Sequence, residues 1–276
     1  VDPRGVASYY DMLTRNAFGN YRTLLNDVSL HPMMGRYLTF LANQKEDPNG
    51  SRSPDENYAR EVMQLMTIGL VELNNDGTPQ LNGGQPIPTY GAADIAGLAK
   101  VFTGLSWYHP SPTNNTFFGG NEDDNRSVTP MIFYPNFHST SEKVFLGTTI
   151  PASGTVNGPG DLDIALNRLF NHPNVGPFIS QRLIQQLVSS NPSPAYVNRV
   201  ASVFNNNGSG VRGDMAAVIR AILNDAEARD MAAVNSPSFG KLREPVIRLA
   251  NSARAFGATS QTGNFLIPSS SGDTLL

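Results

Sequence analysis

Apolar positions recur every three to four residues along most of this chain, and the period breaks down once, in the middle. Tyr9, Met12, Leu13 and Phe18 fall on one helical face, and Leu24, Leu25 and Val28 on a second. Met33, Tyr37, Leu38 and Leu41 form a third, which restarts after His31-Pro32. A polar loop follows at 44–53. The next helix is predicted over 55–69, with Tyr58, Val62, Leu65, Met66 and Gly69 inward. Arg60, Gln64 and Thr67 fall opposite, Glu61 lies on the flank, and Gly69 is the stop. Residues 73–89 read as a glycine- and proline-rich loop. Gly91 is then the predicted N-cap of a helix burying Ile95, Leu98, Ala99 and Phe102, with Asp94 as its capping partner.

Residues 106–160 carry no sustained period but eight large aromatics, among them Trp107, Phe117 and Phe137. Short β pieces are predicted around 131–134 and 143–146. Helices then resume. Asp161 is placed as the cap of one bearing Ile164, Ala165, Leu169 and Phe170. Asn174 is placed as the cap of the next, which is apolar almost all round and so is expected at the centre. Ser193-Pro194 opens another, burying Val197, Val200 and Phe204. Met215, Val218, Ile219, Ile222 and Leu223 form a clean stripe. Pro245 begins a last helix with Val246, Leu249, Ala250, Ala253 and Phe256 inward, closed by Gly257.

The pattern predicts a mainly α fold: an irregular multi-helix domain over 1–257, whose long loop region (about 106–160) contains short β pieces. Residues 258–276 read as a tail or as the start of a further C-terminal part, and both ends look cut.

Composition narrows the function classes. A net charge of −3 gives no global basic field to attract nucleic acid. No apolar run reaches the ~20 residues that span a bilayer. The lack of cysteine excludes thiol catalysis, disulfides and cysteine metal sites. With many Asn, Ser and Gly, it leans toward an exported protein.

Ordered blocks carry a resemblance. They run Asn16-Ala17-Phe18-Gly19-Asn20, Leu30-His31-Pro32-Met33-Met34-Gly35, Glu56-Asn57-Tyr58-Ala59-Arg60-Glu61 and Thr67-Ile68-Gly69. Pro88-Thr89-Tyr90, Asp94-Ile95 and Phe102-Thr103-Gly104-Leu105-Ser106-Trp107 follow. After them come His138 with Lys143, Phe145-Leu146-Gly147, Asn171-His172-Pro173, Phe178-Ile179 and Lys241-Leu242-Arg243-Glu244-Pro245. The chain resembles the bacterial domain-of-unknown-function 1800 family. The resemblance implies a mainly helical, exported protein that is the later portion of a longer chain, encoded near sulfatase-like proteins that are candidate partners. It carries over no catalytic residue and no cofactor.

The candidate chemistry therefore rests on residue types. Arg60 and Glu61 point about 100° apart on a helix and cannot pair with each other. Glu61 either binds a backbone amide or an arginine such as Arg182 or Arg243, or acts as a general acid or base. Of the four histidines, His31 and His172 each precede a proline at a helix entry, where an imidazole satisfies a free backbone group. His109 and His138 lie in the aromatic loop, without metal-ligand spacing. The acidic run Glu122-Asp123-Asp124 reads as a solvated loop rather than a calcium site. Trp107, Tyr108, Phe117 and Phe118 either stack on a sugar or pack the loop. The leading reading is an extracytoplasmic scaffold or surface-assembly module. The alternative is a hydrolase of an extracellular polymer or glycan, using Glu61 with His138 and Arg60, and binding through Trp107, Tyr108, His109 and Lys143. No metal is assigned.

Overall fold

Caps and prolines set the first helices. In the computed structural model, which describes residues 2–231 and 239–263, α1 (Pro3–Asn16) starts where the Asp2 carboxylate accepts the Arg4 N–H. Asn20 caps α2 (Tyr21–Leu30) in the same way. His31 opens α3 (Pro32–Tyr37), its Nδ1 accepting the Met33 N–H at 3.2 Å, as its position before Pro32 predicted. Tyr37 and Phe18 lie at or beyond helix ends and are exposed, contrary to their inward placement from periodicity alone.

Helix α4 (Asn57–Gln64) is shorter than the predicted 55–69. The chain turns out of it because the Ile68 and Gly69 N–H groups both return to the Met63 carbonyl, at 2.9 and 3.0 Å. Gly69 has φ +70°, and a Cβ there would lie 2.8 Å from the Phe178 ring. Beyond this break the helical wheel no longer applies. Leu65 is 61% exposed and Thr67 is buried, the reverse of expectation.

A small hairpin, β1 (Leu81–Asn82) with β2 (Gln85–Pro86), leads to α5 (Ala92–Ala99). The Gly91 N–H donates to Asp94 at 2.8 Å, as predicted. Both predicted β pieces are present. β3 (Leu105–Ser106) pairs antiparallel with β4 (Ile132–Phe133), and β5 (Lys143–Phe145) with β6 (Thr148–Ile150). The short helix α6 (Asn114–Phe117) lies between the first two. This loop region has its own core. Phe117 is fully buried, stacks on Phe137 at 3.8 Å and meets Tyr134 edge-on. The Tyr134 hydroxyl donates to the Trp107 carbonyl at 2.8 Å.

The C-terminal half stacks α7 (Gly158–Phe170), α8 (Val175–Leu187), α9 (Pro194–Asn205), α10 (Met215–Asn224) and α11 (Ala226–Arg229), with α12 (Pro245–Ala255) beyond. Ser193 caps α9 as predicted. Three expectations need correction. Asn157, not Asp161, caps α7, so the helix starts a turn earlier and turns Leu162 and Leu166 inward while Ile164 faces out. Asn174 sits at the N-cap position of α8 but spends its amide elsewhere. It donates to the Ile68 and Val71 carbonyls and accepts the Leu73 N–H, pinning loop 68–73. Helix α12 forms, yet none of its residues is buried, and Phe256 is 89% exposed. Its apolar stripe has the right spacing but no described surface against it. Most of the predicted tail, residues 264–276, lies outside the described residues.

Among the described residues, twelve α-helices and three two-stranded pairs account for the regular structure, a mainly α fold with short β pieces. No described helix is long and apolar enough to cross a membrane.

Candidate functional site

The densest polar cluster lies where the long loop meets α5 and α7. At the end of α5 the chain turns through Thr103 and Gly104. Gly104 has φ +79°, and a Cβ there would stand 2.9 Å from the His138 backbone nitrogen. Only glycine permits that approach. It brings the His138 ring onto the Thr103 carbonyl, at 2.7 Å from Nδ1. A carbonyl only accepts, so Nδ1 carries a proton. Nε2 faces Asp161 Oδ2 at 3.0 Å, and His138 is fully buried.

Asp161 stands in the first turn of α7, where the helix dipole favours a carboxylate. Its Oδ2 also accepts from the Lys143 ammonium at 2.8 Å. Lys143 is 2% exposed, and its Nζ also donates to the Ser139 and Ser141 carbonyls, at 2.7 and 3.3 Å. Three acceptors thus meet the three ammonium protons. The network continues outward. The Ser139 N–H donates to Thr103 Oγ1 at 2.8 Å, and the Ser139 hydroxyl to Glu46 at 2.8 Å. Burial acts to raise the Glu46 carboxyl. Hydrogen bonds from Ser141 and Ser139 and the charge of Lys100 outweigh it and hold the group below the usual range.

This arrangement ties three stretches of chain together through the paired charges of Asp161 and Lys143. Two of the sequence-predicted residues, His138 and Lys143, meet here, both on Asp161. The residue that joins them was read only as a helix cap. Nothing local distinguishes a capping aspartate from a buried first-turn aspartate; the signal lies in residues distant along the chain.

Glu61 is not part of this cluster. It is half-exposed on α4, its carboxylate has no hydrogen-bond partner among the described residues, and the contacts of both His138 nitrogens are with other groups. Neither Arg182 nor Arg243 pairs with it: Arg182 lies over the Phe178 ring at 5.3 Å, and Arg243 is exposed. Arg60 is also exposed and meets Glu56 one turn back at 3.4 Å. Burial raises the Tyr90 phenol, with Arg60 opposing and Glu61 adding, so these three groups share a surface. The Tyr90 hydroxyl donates to Gln64 at 3.3 Å. Gln64 lines a groove of about 760 Å³, with Leu65, Leu70, Phe178 and Arg182.

The remaining predicted residues are engaged within the loop region. Trp107 is buried, with the Arg126 guanidinium 4.8 Å from its ring centre. Tyr108 is half-buried. His109 Nδ1 sits against the Ser111 backbone, 2.8 Å from its carbonyl oxygen and 3.0 Å from its nitrogen, closing a turn. Among the described residues no group of three or more His, Asp or Glu could hold a metal ion.

One further titratable pair lies apart. His172 Nδ1 accepts the Asn174 N–H at 3.2 Å, the helix-entry role predicted for it. Its Nε2 is 3.8 Å from Glu72. Burial pushes the imidazole down to about 4, and Arg168 and Arg212 push the same way. Burial raises the Glu72 carboxyl, with Arg168 opposing.

Comparison with known proteins returns one family. No curated protein matches the chain. No solved structure matches it either. A family model described as "Protein of unknown function (DUF1800)" matches residues 2–271. The chain therefore belongs to the DUF1800 family of proteins of unknown function.

Proposed function

We propose that this chain is a non-catalytic scaffold or surface-assembly module that works outside the bacterial cytoplasm. The observation that carries the reading is the closed state of His138. The one candidate acid–base histidine of the aromatic loop is fully buried, with both nitrogens on protein acceptors. A proton-transfer group must reach a substrate atom directly or through one water. The apolar side of α12, which no described residue covers at Val246, Leu249 and Phe256, supports an assembly role. The cysteine-free composition supports the location. Sulfatase-like proteins, implied by the resemblance, are the proposed partner class.

The hydrolase alternative keeps one support. Glu61 is a half-exposed carboxylate near a groove, without a partner among the described residues, and it would have to act without His138. Release of reducing ends or soluble fragments from extracellular polysaccharides by the purified chain separates the two. The scaffold reading expects no release above a blank, for the native chain and for Glu61→Gln alike. Release that disappears in a stably folded Glu61→Gln chain contradicts it.

A further inference from the structure

Helices α1 and α3 leave between them a groove of about 480 Å³, lined by Val6, Tyr9, Tyr10, Leu13, Met33, Met34, Arg36 and Tyr37. Its volume lies within the ~300–1,000 Å³ range of small-molecule sites. Gly5 lets it form: a Cβ there would stand 2.7 Å from the Met33 sulfur. Met33 and Met34 give a polarisable, adaptable floor. The floor carries no free charge, since the imidazole of His31 packs edge-on to Tyr9 and spends Nδ1 on the Met33 N–H.

Arg36 is the one charged residue of the lining. It is exposed, and among the described residues its guanidinium has neither a carboxylate partner nor a hydrogen-bond acceptor. The hydroxyls of Tyr9, Tyr10 and Tyr37 also make no hydrogen bond among the described residues. The groove therefore presents an apolar bed with a single cation and free phenols. A cationic ligand is disfavoured by Arg36. A peptide strand finds no sheet edge, because the walls are helices. An amphipathic helix needs several turns of contact, and α3 has six residues, or about 9 Å of length.

We propose that this groove binds a small anionic amphiphile, a medium- or long-chain carboxylate. Its chain lies on Leu13, Met33 and Met34, and its head pairs with Arg36. Guanidinium is the side chain best shaped for a carboxylate, meeting both oxygens with parallel N–H donors. The inference is independent of the scaffold reading, which concerns other surfaces.

The test is calorimetric titration of the native chain with decanoate below its micelle concentration, beside decanol and decyltrimethylammonium. Decanoate is expected to bind about tenfold or more tighter than decanol, and the cation weakest, a factor of ten being one ordinary charge-assisted contact. Arg36→Gln, at an exposed position, should remove the preference for carboxylate and leave decanol binding unchanged. Leu13→Asp should weaken both. Equal binding of the three probes, no binding of decanoate, or a decanoate affinity unchanged in Arg36→Gln overturns the proposal.

Discussion

Residues 106–160 contain little regular structure, yet Phe117, Tyr134, His138 and Lys143 within them are buried. Helix α12 is a regular helix of 11 residues with an apolar stripe, and none of those residues is buried. The irregular segment is fixed by partners. Aromatic rings stack within it, and Asp161 reaches into it from α7 with two charge-assisted contacts. The regular helix has its own backbone hydrogen bonds, but it has no side-chain N-cap and no described surface to cover it. Periodicity reports which side of a helix is able to be buried, whereas order in a fold comes from groups that find partners.

That contrast makes graded predictions. The largest effect is expected where a buried charge loses its counterpart. Lys143→Met leaves the Asp161 carboxylate without its ammonium and two carbonyls without donors, and should cost roughly 3–5 kcal/mol in urea unfolding. A loss under ~1 kcal/mol would mean that the cluster is wet and loosely held.

Next is the aromatic core of the same segment. Phe117→Ala should cost about 3 kcal/mol, since the ring is fully buried between Phe137 and Tyr134. If near-UV circular dichroism melts before far-UV in that variant, the loop region unfolds as a unit separate from the helices. Coincident melting would make it part of one cooperative body.

A smaller effect attaches to His172. Its imidazole is held neutral down to about pH 4, whereas the unfolded chain protonates it near 6.5. The unfolded state therefore binds the extra proton in that window. Stability is full above about 6.5 and falls as pH drops toward 4, by about 2 kcal/mol after allowance for partial solvation. His172→Asn keeps an acceptor for the Asn174 N–H and should flatten this part of the pH–stability curve. An unchanged slope assigns the acid loss to other groups.

The smallest effect belongs to the other side of the comparison. Leu249→Ser with Phe256→Ser should change the free energy of urea unfolding by no more than ~0.5 kcal/mol, as for other surface positions. A large loss would show that α12 is covered in solution.

How much of this was legible depends on how far apart the partners lie. The Gly91–Asp94 cap, the Ser193 start of α9 and the helix-entry roles of His31 and His172 involve groups within three residues, and the sequence displays them. The β pieces at 132–133 and 143–145 are short alternations and were also readable. At the early end of α4 the Ile68 and Gly69 N–H groups turn back to the Met63 carbonyl, and Phe178, more than a hundred residues away, fills the space a Cβ on Gly69 would take, so the pattern overran it. Asp161 looked like a cap because capping aspartates and buried aspartates share the same neighbours. His138 and Lys143 were singled out, but their common partner lies in another helix. Glu61 drew notice as a charge beside an apolar stripe, and only packing could show that it stays at the surface.

The account rests on Asp161 and Lys143 acting as one buried link between the loop region and α7. A double-mutant cycle on urea unfolding measures this link, using Asp161→Asn, Lys143→Met and the pair. A coupled unit predicts that the double variant loses less than the two single losses added together, by at least ~1.5 kcal/mol. Losses that add within ~0.5 kcal/mol would show two independent groups and contradict the link.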